Sequence, residues 1–333
     1  MDALSDILRS AHLSGGVYFR CEFSAPWGMQ MPDTPIAEFH VIVRGQCWLR
    51  VPGEKNPIPL RGGDVAVFMS GGPHALLDNP KATALPPEVV LKGQNLENYG
   101  PVTFGGGGAP ATVLCGYFRF DPSSRHPLIG ALPAFIHVRG ADDESAASLE
   151  TVVTLMMQET RAARPGAEVV VNRLCEVLFI RIVRSFIEQS PHRSGILAAL
   201  ADPQICGALN EMHRAPERSW TLAEFAARLG LSRSAFAARF HQVVGQTPMQ
   251  YLTAWRMETA RSLLSESRLS TAAIAERVGY GSEAAFGKVF KRLVGIGPGA
   301  FRRADARGMQ SGSATRRAAR DQQSMARAAE RSS

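Results

Sequence analysis

Apolar residues recur at two different spacings along this chain. Up to about residue 140, short apolar stretches alternate with clusters of Gly, Pro, Asn and Asp, as in the strands and turns of a small β-barrel or sandwich. The stretches that we predict as strands are residues 16–23, 37–43, 47–51, 65–69 and 112–120. Farther along, apolar residues lie three or four positions apart, which is the spacing of one face of an α-helix. The pattern therefore predicts an α+β chain whose strands come first.

Two long helices are predicted between the strands and the last third of the chain. They cover residues 144–164 and 168–189, and Pro165 with Gly166 forms the break between them. Their apolar residues exceed what one amphipathic helix needs to cover a barrel. These connector helices therefore have apolar surface to bury in addition to one ordinary packing face.

A short motif occurs twice in the last third of the chain. Its recurring glycines, phenylalanines and prolines are Gly230, Phe236, Phe240, Gly245 and Pro248, then Gly279, Phe286, Phe290, Gly295 and Pro298. From Phe236 onward the matching residues lie 50 positions apart. In each copy a short helix ends at a glycine and a second helix follows the turn. This is a helix-turn-helix, the unit whose second helix enters a DNA major groove.

The second helix of each copy has an outer face that can contact DNA. Its phenylalanines face the core, which leaves the intervening positions outside. The candidate DNA-contacting residues are Arg233, Ser234, Ala237, Ala238 and His241 in the first copy and Ser282, Glu283, Ala284, Lys288 and Lys291 in the second. Residues 248–264 have no helix breaker after Pro248 and form a rigid spacer, so both helices could reach one DNA face about one turn (~34 Å) apart.

Charge is distributed unevenly along the 333 residues. The chain has 37 Lys+Arg and 30 Asp+Glu, a net charge of +7. Residues 208–304 carry 14 basic and 7 acidic side chains, whereas residues 1–207 carry 17 and 20. The basic excess thus coincides with the doubled motif, as a phosphate-binding surface requires. The tail from residue 305 is rich in Ala, Arg, Ser and Gln and is predicted to be disordered.

These motifs closely resemble the DNA-binding domain of AraC/XylS-type transcription regulators. The matching stretches include Trp220-Thr-Leu-Ala-Glu, Gly-Leu-Ser-Arg-Ser-Ala-Phe236 and Gly-Tyr-Gly-Ser-Glu-Ala-Ala-Phe286. The resemblance implies reader helices at about 233–243 and 282–292, with double-stranded promoter DNA and RNA polymerase as partners. It also implies that the connector helices pair between the subunits of a homodimer; packing on their own barrel is the alternative.

The strand-rich segment resembles a cupin-type sensory domain found in one AraC subgroup. Phe39-His40-Val-Ile-Val-Arg-Gly45 resembles part of the first cupin motif, and Gly63-Asp-Val-Ala-Val-Phe-Met-Ser-Gly-Gly-Pro-His74 resembles the second. Both motifs are degenerate. Met69 stands where proline is usual, and Glu38-Phe-His40 holds one histidine of the usual pair. The predicted architecture is a cupin-like β-barrel at 1–140, a helical connector at 141–195, an all-α domain with two helix-turn-helix units at 196–304 and the tail at 305–333.

Three residues of the barrel are candidate metal ligands. His40, His74 and Cys115 could converge inside it, and imidazole with thiolate suits zinc or another transition metal. The alternative is that each is separately a buried core residue. A redox hypothesis instead pairs Cys21 with Cys115 on neighbouring strands. The five cysteines are scattered and do not form a disulfide framework.

Two classes of function stay open at this point. The first is a sequence-specific DNA-binding transcription regulator, in which a small molecule, a metal or an oxidant acts on the barrel and the connector conveys the signal. The second is a cupin metalloenzyme, a dioxygenase or isomerase, fused to a DNA-binding domain. The sequence has no signal peptide and no apolar run near the ~20 residues of a membrane span, so a cytoplasmic location is expected.

Overall fold

The computed structural model describes residues 2–11, 13–96, 99–120, 127–140, 144–162, 164–189 and 195–311. It divides the chain into two compact units. One unit contains the strands and the connector helices, and the other contains the C-terminal helices together with two short helices from earlier in the chain. The predicted α+β class, with a barrel first and helices last, is confirmed. The sequence predicts a flexible joint at Pro191 to Gly195, between the connector and the last domain; all of it but Gly195 lies outside the described residues, as does the chain beyond residue 311.

The barrel unit is built from two sheets. Its strands, within the described residues, are β1 (Ser14–Ser24), β2 (Gly28–Met31), β3 (Ala37–Arg44), β4 (Gln46–Arg50), β5 (Ile58–Arg61), β6 (Val65–Phe68), β7 (His74–Leu77), β8 (Pro101–Gly105), β9 (Pro110–Arg119) and β10 (Phe135–Val138). One sheet has the order β10-β6-β3-β9-β1-β8 and the other β2-β7-β4-β5. The short helix α2 (Pro87–Val90) packs against β2. The predicted strands correspond to β1, β3, β4, β6 and β9.

Alternate side chains of strand β3 point into the barrel and towards its outer face. Because successive side chains point to opposite faces of a strand, Glu38, His40 and Ile42 share one face and Phe39 lies on the other. Ile42 belongs to the core inside the barrel. Phe39 packs outside on Phe118, with 4.8 Å between the ring centroids. A carboxylate and an imidazole are therefore buried in the barrel by the same alternation that buries Ile42.

The connector helices α4 (Glu144–Ala162) and α5 (Ala167–Gln189) pack against each other, and α5 packs on β1 and β10. Phe179 of α5 contacts Phe118, with ring centroids 5.0 Å apart. Gly15 permits this close approach, since an added Cβ would lie 2.8 Å from the Cβ of Cys175. The alternative that the connector packs on its own barrel is thus confirmed. Pairing between subunits stays a prediction.

The second unit is helical. Its helices are α1 (Ala3–Ser10), α3 (Pro127–Ala131), α6 (Ile196–Ala201), α7 (Pro203–Arg214), α8 (Leu222–Arg228), α9 (Arg233–Val244), α10 (Pro248–Glu266), α11 (Thr271–Arg277), α12 (Glu283–Val294) and α13 (Pro298–Ser311). Helices α8 and α9 form the first helix-turn-helix, and α11 and α12 form the second. Helix α13 extends to Ser311, so residues 305–311, which the sequence assigned to a disordered tail, are helical, and the rest of the predicted tail lies outside the described residues.

Side-chain caps fix where these helices begin. Thr221 and Glu224 form a reciprocal capping box at α8, in which the Thr221 N–H donates to Glu224 Oε2 at 2.8 Å. Thr247 and Gln250 form a second box at the start of α10. Helix α9 ends at Gly245, whose φ of 82° lies in the left-handed region that favours glycine. The local sequence thus specifies the helix-turn-helix boundaries.

Helix α1 lies with the C-terminal helices, although the sequence placed residues 1–140 in one barrel domain. It packs on α7 and α10. Its apolar residues Ala3 and Ile7 are buried, and the Ala3 N–H donates to Asn210 Oδ1 at 2.6 Å. The reason for the difference is that α1 is strongly amphipathic and finds its apolar partner face in the helical unit rather than on the barrel.

Among the described residues, no helix is both long enough and apolar enough to span a membrane.

Candidate nucleic-acid interface and barrel site

Helix α9 is the second helix of the first helix-turn-helix. Its cap is Ser232, whose Oγ accepts the Ala235 N–H at 3.2 Å. Phe236 and Phe240 are fully buried, which fixes the rotation of the helix. Of the predicted DNA-contacting residues of this helix, Ala237 is half-buried and the following are exposed: Arg233, Ser234, Ala238 and His241. The predicted inner and outer faces of α9 are therefore correct. Its contact with DNA stays a prediction.

Helix α12 is the corresponding helix of the second helix-turn-helix. Ser282 is its cap, and Ser282 Oγ accepts the Ala285 N–H at 3.2 Å. Phe286 and Phe290 are fully buried. The predicted DNA-contacting residues of this helix are all exposed: Ser282, Glu283, Ala284, Lys288 and Lys291. Ser282 is thus both a helix cap and an exposed residue at the end of α12.

The two reader helices, α9 and α12, differ in the cations that they expose. Arg239 of α9 is held by Asp202, with 2.8 Å between Nη2 and Oδ2. On α12, Lys288, Lys291 and Arg292 are exposed, and no ion pair links them to a carboxylate in the part of the chain described. The positive surface available for phosphate is therefore richer on α12.

Helix α10 connects the two helix-turn-helix units as a single 19-residue helix, about 28 Å long at ~1.5 Å per residue. Arg256 braces it against the loop before α8 by donating to the carbonyl oxygens of Pro216 at 2.7 Å and Arg218 at 2.9 Å. His213 of α7 stacks on Trp255, with ring centroids 3.7 Å apart. These contacts attach the start of the DNA-binding domain to the spacer helix α10, as the predicted rigid spacer requires.

Inside the barrel, β1, β3 and β9 place polar side chains in successive layers. Glu38 lies directly opposite Tyr117, and His40 lies directly opposite Cys115. Cys115 also lies opposite Phe19 of β1. Residues directly opposite each other on neighbouring strands share a face. Glu38 with Tyr117 thus forms one layer, and His40 with Cys115 forms the next.

His40 and His74 meet across the barrel. Their Nε2 atoms lie 2.7 Å apart. His74 Nδ1 lies 2.8 Å from the Gly72 carbonyl oxygen, and because a carbonyl only accepts, this nitrogen carries the proton in the neutral ring. His74 Nε2 therefore presents a lone pair towards His40. A neutral histidine in this tautomer can ligate a metal through Nε2.

Glu38 completes a group of potential metal ligands. One ligand atom from each of Glu38, His40 and His74 lies within 4.8 Å of the others, and all three residues are buried. Glu38 Oε2 has no hydrogen-bond partner among the residues that the structure describes. Burial raises the pKa of Glu38 to about 7, although a hydrogen bond from Thr34 opposes the rise, and burial lowers the pKa of His74 to about 4. Glu38 is absent from the ligand set predicted from sequence, although its two-residue spacing from His40 on a strand is a usable signal.

Cys115 lies on the other edge of the His40 ring. Its Sγ is 3.2 Å from His40 Nδ1, whereas His74 lies beside His40 Nε2. A metal held by both Nε2 atoms therefore does not have Cys115 as a ligand in this arrangement, and Glu38 replaces it in the predicted set. A hydrogen bond with Cys115 instead orients His40, as the outer partners of metal-bound histidines do.

The predicted redox pair consists of two buried cysteines. Cys21 lies opposite Val113 on β9, two residues from Cys115, and both thiols are essentially inaccessible to solvent. A hydrogen bond with Cys21, which stabilises the protonated thiol, and then burial raise the pKa of Cys115 well above its usual value. Both effects disfavour the reactive thiolate. The redox hypothesis stays a prediction, and the geometry favours the metal hypothesis.

Comparison with known proteins identifies the class of the chain. Residues 2–188 match the cupin family, and residues 225–304 match the helix-turn-helix domain family. A putative AraC-like transcription regulator of Streptomyces lividans is 33% identical over 91% of this chain and 98% of its own length. The chain belongs to the AraC-like transcription regulators.

Other relatives over nearly the full length are also regulators. An uncharacterized HTH-type transcriptional regulator of Haemophilus influenzae is 30% identical over 91% of this chain and 99% of its own length. The RCS-specific HTH-type transcriptional activator RclR of Escherichia coli K12 is 27% identical over 91% and 97%. The AraC-like regulator described here thus combines an AraC-type DNA-binding domain with a cupin domain that serves as its sensor. These relatives give no support to the alternative of a cupin metalloenzyme.

Proposed function

We propose that this regulator binds promoter DNA through both reader helices and that α12 makes most of the charged contacts. The observation that supports this proposal is the row of exposed cations on α12, Lys288, Lys291 and Arg292. Lysine reaches guanine O6 and N7 or a phosphate, whereas the small residues of α9, such as Ala238, suit apolar contact with thymine methyl groups. Specificity at α9 then depends more on methyl contacts and DNA shape.

Replacing Lys288 by alanine is expected to weaken DNA binding by about 1–3 kcal/mol if the lysine contacts a base. The measurement is the dissociation constant of the full chain for a duplex that the protein itself selects from random sequences. Lys81→Ala removes an exposed lysine from the barrel unit and is the matched control, with no expected change. Equal affinity of the Lys288→Ala and wild-type proteins would show that α12 does not use this side chain.

Salt dependence separates base contact from phosphate contact. Each phosphate-binding cation contributes about 0.9 to the slope of log K against log salt. We expect Lys291→Ala to lower this slope by about one such unit on every duplex, if Lys291 binds a phosphate. Lys288→Ala is expected to change the preference among sequences more than the slope. A slope that is the same in Lys291→Ala and wild type would exclude the phosphate contact.

We propose further that the regulator forms a homodimer through the exposed face of the connector. Val169, Val170 and Val177 of α5 are 65%, 42% and 40% exposed, and Leu155 of α4 is 44% exposed. Val170 and Val177 lie seven residues apart and so share one side of α5. An apolar helix face that the barrel leaves uncovered supports pairing with a second copy.

A charge on this face is expected to break the dimer. Val177→Glu should raise the dimer dissociation constant at least about tenfold, corresponding to ~1.4 kcal/mol, because a symmetric interface would bury two uncompensated carboxylates. Val89→Glu changes a valine of α2 that is 48% exposed and is the matched control. Sedimentation velocity measures both constants. If Val177→Glu and Val89→Glu dimerise alike, the α5 face is not the interface.

We propose that the barrel responds to a divalent transition metal such as zinc, held by Glu38, His40 and His74. Two observations support this site: the ligand atoms converge, and Glu38 Oε2 has no partner in the described part of the chain. Zinc binds imidazole nitrogen and carboxylate oxygen, and a three-residue set leaves a further position for another ligand.

We also propose that the regulator acts in the cytoplasm together with RNA polymerase.

A further inference from the structure

Three polar side chains lie near one another at one end of the barrel interior, next to the Glu38–His40–His74 group. They are Tyr18 at the bulge in β1 and Tyr117 and Arg119 on β9. The ring centroids of Tyr18 and Tyr117 are 5.0 Å apart, and Arg119 Cζ lies 4.9 Å from the centroid of the Tyr117 ring. Tyr117 lies opposite Glu38, so this cluster forms the layer that includes the Glu38 carboxyl. We call Tyr18, Tyr117 and Arg119 the mouth cluster.

The mouth cluster contains buried hydrogen-bond donors that the protein does not use. The Tyr18 hydroxyl and Arg119 Nε are both inaccessible to solvent, and neither has a hydrogen-bond partner among the described residues. Arg119 makes no ion pair among the residues that the structure describes. A buried donor without an acceptor destabilises the fold, and more so when the group is charged. Two such donors around one aromatic ring are available to an acceptor from outside the described residues.

The acceptor that fits these donors is an anionic oxygen pair. A guanidinium and a phenolic hydroxyl supply separate donors, which match the two oxygens of one carboxylate. One arginine balances the single charge of a carboxylate, whereas a dianionic phosphate would keep an uncompensated charge in a buried site. The rings of Tyr18 and Tyr117 offer apolar surface for the body of an organic acid.

We propose that the mouth cluster binds a small organic carboxylate, with Arg119 and Tyr18 donating to its two oxygens and the tyrosine rings contacting its carbon skeleton. The carboxylate is a second effector beside the metal, and this role rests on the proposed function of a DNA-binding regulator whose barrel senses the signal. Glu38 lies in the same layer and joins the mouth cluster to the metal ligands. Ligand binding at the mouth cluster therefore alters the surroundings of Glu38 directly.

Calorimetric titration of the full chain tests the site. The probes are acetate, butyrate, hexanoate and phenylacetate, each compared with its own amide, which keeps the shape and removes the charge. We expect saturable binding of at least one acid and at least about tenfold weaker binding of its amide, a difference of ~1.4 kcal/mol. Saturable binding of none of the four acids, or equal binding of an acid and its amide, would overturn the proposal.

Substitutions assign the donors. Tyr18→Phe removes only the hydroxyl, and Arg119→Gln removes the charge; each is expected to weaken the acid at least about tenfold. Arg44→Gln removes an exposed arginine from β3 and is the control, with unchanged affinity. If Tyr18→Phe and Arg119→Gln bind the acid as wild type does, the site lies elsewhere. Such a failure leaves DNA binding and its dependence on Lys288 unaffected, so it is distinguishable from failure of the proposed regulator function.

Discussion

Replacing Phe286 by alanine is expected to destabilise the second helix-turn-helix by about 3–5 kcal/mol, because truncation of a fully buried ring leaves a cavity. Phe286 is inaccessible to solvent, and its ring centroid lies 5.5 Å from that of Phe290 and 5.8 Å from that of Tyr280. A loss of this size is a large part of the ~5–15 kcal/mol that stabilises a typical domain. Unfolding of α11 and α12 would also remove Lys288 and Lys291 from DNA.

Hydrogen exchange followed by mass spectrometry measures this effect on peptides from α11 and α12. Leu293→Ala is the control on the same helix, since Leu293 is 51% exposed and its truncation should change stability by no more than about 0.5 kcal/mol. Exchange in the barrel peptides should stay unchanged in both variants. Equal protection of α12 in Phe286→Ala and Leu293→Ala would contradict the core position of Phe286.

The helix-turn-helix units could be predicted from sequence because their signals are local. A cap at Thr221, a glycine at Gly245 and phenylalanines at helical spacing are each specified within a few residues. The same helical spacing that places Phe286 and Phe290 inside also predicts Leu293 on the inner face. That prediction is wrong, because the residue is half exposed in the last turn of α12. Periodicity gives the direction in which a side chain points, but not whether a neighbouring element extends far enough to cover it.

The barrel site could be predicted only in part because it depends on non-local contacts. The cupin-like motifs identified His40 and His74, and the structure brings their Nε2 atoms together. Which side of the His40 ring faces Cys115 is decided by the pairing of β3 with β9, and no pattern within either strand states that register. Helix α1 is a similar case, because its contact with Asn210 joins residues that are 207 positions apart.

Removing His74 is expected to abolish high-affinity metal binding by the barrel. The full chain, loaded with zinc and freed of excess, should retain about one ion, and His74→Ala should retain essentially none, because a metal site depends on each of its few ligands. His137→Ala is the control. This histidine is hydrogen-bonded to Asp64, with 3.1 Å between Nε2 and Oδ2, and does not belong to the ligand group. Cys115→Ser, which changes an outer partner of His40, should lower affinity by a smaller factor of about 10–100.

The pH dependence of zinc affinity distinguishes the carboxylate from the histidines. Ligands must be deprotonated to bind a metal. Burial lowers the pKa of His74 to about 4, and burial followed by the neighbouring His74 lowers that of His40, so both rings are neutral at pH 7 without a metal. The pKa of Glu38 is raised to about 7 by burial, so Glu38 is the group that must lose its proton. Zinc affinity should therefore fall as the pH drops below about 7, and Glu38→Gln should bind more weakly but without this step. A wild-type affinity that stays constant from pH ~8 to ~6, or His74→Ala protein that keeps its zinc, would exclude Glu38 and His74 as ligands.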